Sequence, residues 1–126
     1  MWKPRIIVQN GRSIPFEEAR IHPLSVGTAY GIGVFEGLRA YYNAATGRLS
    51  VFRLEEHLTR LEQGMKIMRF DDPPSREVLR EGVLRAVREN EPDDDAYIRL
   101  QVHIEALGMM ATTGPVGWVA GAMPRE

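Results

Sequence analysis

Apolar residues recur along this chain with two different periods. In RLEEHLTRLEQGMKIM, residues 53–68, Leu54, Leu58, Leu61, Met65 and Met68 follow one another at spacings of four and three. That makes a single apolar stripe along a helix. Asp71-Asp72-Pro73-Pro74 ends it, and Ser75 is placed to cap a second helix with Glu77 and Val78 in its first turn. This second helix is expected to reach about Glu89, with Val78, Leu79, Val83, Leu84 and Val87 inward and Asn90 and Pro92 as the stop. Elsewhere the pattern alternates with a period of two. RIIVQ (5–9), Asn10-Gly11 and RSIPF read as a hairpin with a primed turn, Pro15 restricting the second strand to an edge. Residues 33–42 read as a long strand, NAATG (43–47) as a turn, and RLSVF (48–52) as the antiparallel return. AYIRLQVHI (96–104) and VGWVAGAM (116–123) are further strands, with ALGMMATTGP as the loop between them. Residues 17–20 are expected to form one helical turn and HPLSVGTA (22–29) an irregular loop. Strands, then two helices, then strands predict an α+β domain, an antiparallel sheet covered on one face by two helices.

Composition narrows the class more than it names one. A chain of 126 residues with 44% apolar and 26% charged residues is the size and mix of one globular domain. A net charge of −1 gives no electrostatic reason to expect nucleic acid or an acidic membrane surface. No run approaches membrane-spanning length, and MWKPRIIVQNG lacks the apolar core of a signal peptide, so a soluble, cytoplasmic protein is expected. The absence of cysteine excludes disulfides and thiolate chemistry. Of sixteen basic residues only Lys3 and Lys66 are lysines, so any chemistry that needs an amine has two candidates.

The stretch YGIGVFEGLRAYY (30–42) joins strand-forming residues to Gly31, Gly33 and Gly37. Glycines weaken a strand unless a turn, a ligand or another backbone needs the space. Gly31 and Gly33 suit a turn into the strand. Gly37 leaves room on the face where Phe35 and Arg39 point, though a β-bulge would use the same residue. On the first helix Arg60 shares a flank with Arg53, His57 and Gly64, beside the apolar stripe. A half-buried guanidinium there suits a phosphate, which it grips with paired hydrogen bonds. Its spacing equally fits an ion pair with Glu56. Tyr97 and Arg99 lie on one face of their strand, as the floor of a carboxylate pocket or as a polar outer face. His57 reads as a helix-surface histidine, and His22 and His103 lack partners at useful spacing. No cluster has metal-ligand spacing, and no helix follows GIGVFEG to make it a phosphate loop.

Taken together and in order, YGIGVFEGLRAYY, VFRLEEHLTRLEQGMKI and AYIRL resemble the N-terminal half of branched-chain aminotransferases, which are pyridoxal 5'-phosphate (PLP) transaminases of fold type IV. The resemblance runs from the first hairpin to about Pro124, and implies the small N-terminal domain of that fold. D-amino-acid transaminases and aminodeoxychorismate lyases share the helix motif and are the alternative relatives. The resemblance implies that Arg60 binds the PLP phosphate. It further implies that Tyr30, Phe35 and Tyr97 line an apolar side-chain pocket, that Gly37 lies close to substrate, and that Arg99 receives a carboxylate. The loop around Gly108 and Met109 matches one that reaches the neighbouring subunit's site in the family's dimer, so a homo-oligomer is expected. Met110-Ala111 and Leu100 depart from the family's pattern, which bears on substrate preference. The implied reaction converts a branched-chain amino acid and 2-oxoglutarate into a 2-oxo acid and glutamate. The family's lysine, which holds PLP covalently and moves the substrate's α-proton, lies in a second domain beyond this chain, and neither Lys3 nor Lys66 matches it. The 126-residue chain is therefore expected to be inactive alone and to bind PLP weakly or not at all. A non-catalytic, partner-binding module is the reading from a different class.

Overall fold

The computed structural model describes residues 1–125. Six antiparallel strands form one sheet in the order β2-β1-β6-β5-β3-β4. β1 (Ile6–Gln9) and β2 (Arg12–Pro15) make the predicted hairpin, with Asn10 and Gly11 both at positive φ, as a primed turn requires. β2 is an edge strand, where Pro15 is tolerated. β3 (Gly33–Asn43) pairs along most of its length with β5 (Ala96–Ile104), and β5 with β6 (Val116–Pro124). β4 (Arg48–Val51) covers only Ala40–Asn43 of β3, so the outer edge of β3 from Gly33 to Leu38 carries no strand.

Two helices lie on one face of this sheet. α2 (Leu54–Ile67) packs on β3, and α3 (Arg76–Asn90) on β6 and β1. Alternation along the strands supplies the surface they cover. Leu38 and Ala40 of β3, Ile98, Leu100 and Val102 of β5, and Ala120 and Ala122 of β6 are all buried. Leu58, Leu61 and Met65 of α2 meet them, as the stripe predicted, while Met68 lies at the helix end and stays partly exposed. Each such side chain contributes about 1.5–3 kcal/mol on burial.

α3 starts where expected, with Ser75 Oγ accepting from the Val78 amide at 3.2 Å. Its buried face differs from the expected one. Leu79, Gly82, Val83, Ala86 and Asn90 are inward, whereas Val78 is exposed and Leu84 and Val87 are half-buried. The small residues Gly82 and Ala86 take the inward positions because the Trp118 ring on β6 lies directly beneath Gly82, leaving no room for a Cβ. At the far end Asn90 ties α3 to β1. Its Oδ1 accepts from the amides of Arg5 (2.6 Å) and Ile6 (3.0 Å), and its Nδ2 donates to the carbonyls of Ile6 and Ala86.

Two local expectations change. Residues 22–29 are not wholly irregular: α1 (Val26–Ala29) is one helical turn, with Val26 buried. The helical turn near 17–20 is a 3-10 turn at Phe16–Glu18.

Candidate functional site

The face of the sheet opposite α2 and α3 carries the other half of each strand. Phe35, Gly37 and Arg39 of β3 oppose Gln101, Arg99 and Tyr97 of β5. Four of the residues singled out from sequence therefore come together here. The Arg99 guanidinium lies over the Phe35 ring, Cζ 3.5 Å from its centroid, a cation–π geometry. Tyr97 folds over Gly37: a Cβ on Gly37 would stand 3.0 Å from the Tyr97 hydroxyl and 3.1 Å from the ring. The missing side chain at Gly37 is thus filled by Tyr97, and no bulge is needed to explain it. Phe35 remains 56% exposed on this face.

The glycines before it act differently from one another. Gly31 has φ +69, so it is the turn residue. Gly33 is extended strand, and its space is taken by β5: a Cβ there would stand 3.1 Å from the Val102 carbonyl oxygen. A hollow of about 240 Å³ borders Gly27, Gly31, Gly33, Phe35, Arg99 and Gln101. Tyr30, next to Gly31, sits at the end of α1, and its hydroxyl reaches Met109 Sδ at 3.9 Å. Tyr30 thus joins the loop after β5 rather than the Phe35–Arg99 pair. Met109 and Met110 on that loop are exposed.

Arg60 stands apart from this face, on α2 beside the unpaired edge of β3. Its partner is not Glu56 but Glu36, which sequence reading passed over. Arg60 Nε donates to Glu36 Oε1 and Nη2 to Oε2, both at 2.6 Å, and His57 Nδ1 lies 2.9 Å from Oε2. The Glu36 side chain is 4% exposed and that of Arg60 71% exposed. Burial pushes the Glu36 carboxyl up. Hydrogen bonds from Arg60 and then His57, with their charges, outweigh that, and the group titrates below the usual carboxylate range. His57 is accordingly half-buried and engaged, not a free surface histidine. The signal for Glu36 was its parity: it shares a face with Leu38 and Ala40, where an unpaired carboxylate would be costly.

Gly64 brings α2 close to the strand, since a Cβ there would meet Val34 at 3.2 Å. Along the resulting groove, of about 440 Å³, lie Gly33, Phe35, Gly37, Arg60 and Gly64. A smaller hollow on the other side of Arg60 is lined by Arg53, Glu56 and His57. The site is thus an exposed, doubly braced guanidinium at one side of a bare strand edge, and an aromatic–arginine face at the other. Among the described residues no group of three or more acidic or histidine side chains is placed to hold a metal ion, and no helix is long and apolar enough to cross a membrane.

The sequence profile of the family described as "Amino-transferase class IV" matches residues 33–119. The chain belongs to the class IV aminotransferase family. It is homologous to the N-terminal part of branched-chain aminotransferases. The branched-chain-amino-acid aminotransferase of Pseudomonas aeruginosa is 38% identical over 104 residues, 82% of this chain and 33% of that protein. The branched-chain aminotransferase of the archaeon Thermoproteus uzoniensis, solved with norvaline, superposes with a TM-score of 0.85 at 36% identity, over 94% of this chain and 40% of that one. The branched-chain amino acid aminotransferase of Thermobaculum terrenum, solved in its PLP form, superposes with a TM-score of 0.85 at 30% identity, over 98% of this chain and 41% of its own. The chain spans about a third of the length of the curated relatives it matches. The six-stranded antiparallel sheet with its helices on one face is the N-terminal domain of class IV aminotransferase structures.

Proposed function

We propose that this chain supplies the phosphate cradle and part of the substrate pocket of a PLP-dependent branched-chain transaminase. The observation that carries the reading is the Arg60 fork. Two of its nitrogens are held by Glu36, while Nη1 has no protein acceptor among the described residues. An exposed guanidinium fixed in orientation beside a groove bordered by Gly33, Gly37 and Gly64 fits a phosphate. PLP, when bound, supplies the electron sink for amino-group transfer. Arg60 binds and orients its phosphate. Phe35 and Tyr97 offer apolar surface to an aliphatic side chain, with Gly37 keeping that part of the strand low. Arg99, stacked on Phe35 and with no carboxylate partner among the described residues, is available to a substrate carboxylate, such as that of 2-oxoglutarate. Tyr30 is proposed as a further wall of that pocket, and the exposed Met109 loop it touches as the segment that reaches a second copy's site, which makes a homo-oligomer part of the proposal.

This assignment leaves the α-proton without a carrier. Lys66 lies on the exposed side of α2, in the helix layer on the opposite face of the sheet from Phe35 and Arg99, and Lys3 precedes β1; neither matches the family's lysine. We therefore expect residues 1–126 to bind PLP weakly and to show no turnover, the lysine belonging to a second domain that completes the enzyme. The exposed Phe35 and the unpaired β3 edge also favour a second reading, in which the chain serves as an association module for that domain. Assay of the purified chain with leucine or valine, 2-oxoglutarate and PLP separates the possibilities. No glutamate-coupled turnover is expected, with turnover restored by adding a lysine-bearing second domain. Turnover by the chain alone overturns the proposal.

A further inference from the structure

We infer that Glu36 is a positioning residue for the phosphate-binding arginine, with His57 as its second brace; the inference rests on the assignment of Arg60 above. Every other helix-facing residue at this end of β3 is apolar: Leu38 and Ala40 are fully buried against the core. A leucine at position 36 would continue that surface, whereas a carboxylate with 4% side-chain exposure needs partners to be tolerated at all. Its two partners both come from one face of α2, His57 and Arg60 standing one turn apart. The grip on Arg60 is two-pronged, from Nε and Nη2 to separate oxygens, both at 2.6 Å. A single bond would leave the guanidinium free to rotate, but two fix its plane. The plane so fixed aims Nη1 and the outer edge of Nη2 away from the core, since the arginine side chain is 71% exposed. His57, at 2.9 Å from the same carboxylate, prevents Glu36 from swinging with Arg60. The arrangement holds a flexible side chain ready for an anion before any anion arrives, which lowers the entropy lost on binding.

Charge and position make opposite predictions, and this gives the test its sign. As a mere neighbouring charge, Glu36 repels phosphate, and its removal strengthens anion binding. As a brace, its removal weakens binding although the site becomes more positive. Glu36→Gln keeps size and offers Arg60 one acceptor and one repelling N–H₂ group.

The experiment follows the Arg60 Nε–H resonance of the 126-residue chain by NMR during titration with inorganic phosphate and, separately, with PLP and pyridoxal. In the unaltered chain, phosphate and PLP are expected to shift it and pyridoxal to leave it unmoved. In Glu36→Gln the affinity for phosphate and PLP is expected to fall by about tenfold, the loss of a charge-assisted contact, with Nε–H exchange accelerated and the circular dichroism unchanged. Arg60→Ala, followed through the neighbouring amides, is expected to abolish the phosphate-dependent shifts. Equal or tighter phosphate binding by Glu36→Gln overturns the positioning role while leaving the Arg60 assignment intact. Persistence of the shifts in Arg60→Ala, or their absence from the unaltered chain, overturns both. Should Glu36→Gln not fold, His57→Ala replaces it, with a smaller loss of phosphate affinity expected and unchanged or tighter binding counting against the brace.

Discussion

Arg99 and Phe35, on neighbouring strands, lie with guanidinium over ring at 3.5 Å, on the sheet face opposite α2 and α3. The pair holds an exposed aromatic ring against a half-buried cation. It also explains how a face with Phe35 more than half exposed remains defined.

The Arg99–Phe35 contact is expected to be worth little to the fold and more to the site. An exposed cation–π pair contributes about 0.5–1 kcal/mol, so Phe35→Ala should lower unfolding stability by no more than about 1 kcal/mol in urea titration. A loss above about 3 kcal/mol, typical of a core aromatic, would mean that Phe35 belongs to the core and not to a pocket.

Asn90 is the opposite case, a polar residue whose value lies wholly in the fold. It satisfies two amides of β1 and the carbonyls of Ile6 and Ala86 while itself only 1% exposed. Asn90→Ala strands several of these groups away from water, and each buried unsatisfied group costs about 1–3 kcal/mol. A loss of roughly 2–4 kcal/mol is expected, with hydrogen exchange fastest at the Arg5 and Ile6 amides. A change below about 0.5 kcal/mol, the range of an ordinary surface substitution, would contradict the bonding described.

His103 makes stability depend on pH in a stated direction. Burial under α1 holds its imidazolium down, with the Glu105 charge opposing, so its folded pKa lies below the ordinary 6.5. Below pH 6.5 the unfolded chain takes up a proton that the folded chain refuses. Stability should therefore fall as pH drops from 6.5 toward the lower folded value, and then level off with respect to this group. His103→Phe should flatten that part of the curve. An identical slope in the variant would place the titrating group elsewhere.

How much of this was legible in the chain depended on whether the cause was local. The stripe from Leu54 to Met65, the Asn10-Gly11 turn and the Ser75 cap are local patterns, and each produced its element. The inward face of α3 was set instead by Trp118, some thirty-six residues away from Gly82 in sequence; no period reveals which ring a glycine must clear. Arg60 was chosen by its flank and motif, but its partner was sought on the same helix, where spacing is easy to count. The true partner, Glu36, is on a strand twenty-four residues earlier. Only its parity with Leu38 and Ala40 marked it. Gly33 and Gly37 looked alike in the sequence, yet one makes way for a neighbouring backbone and the other for the Tyr97 ring.

The central claim is that this chain cradles the phosphate of PLP at residue 60. A crystal of the 126-residue chain soaked in PLP tests it most directly. The account predicts phosphate oxygens within about 2.7–3.2 Å of the Arg60 guanidinium, beside the bare edge of β3. Ordered PLP with its phosphate held elsewhere would contradict it.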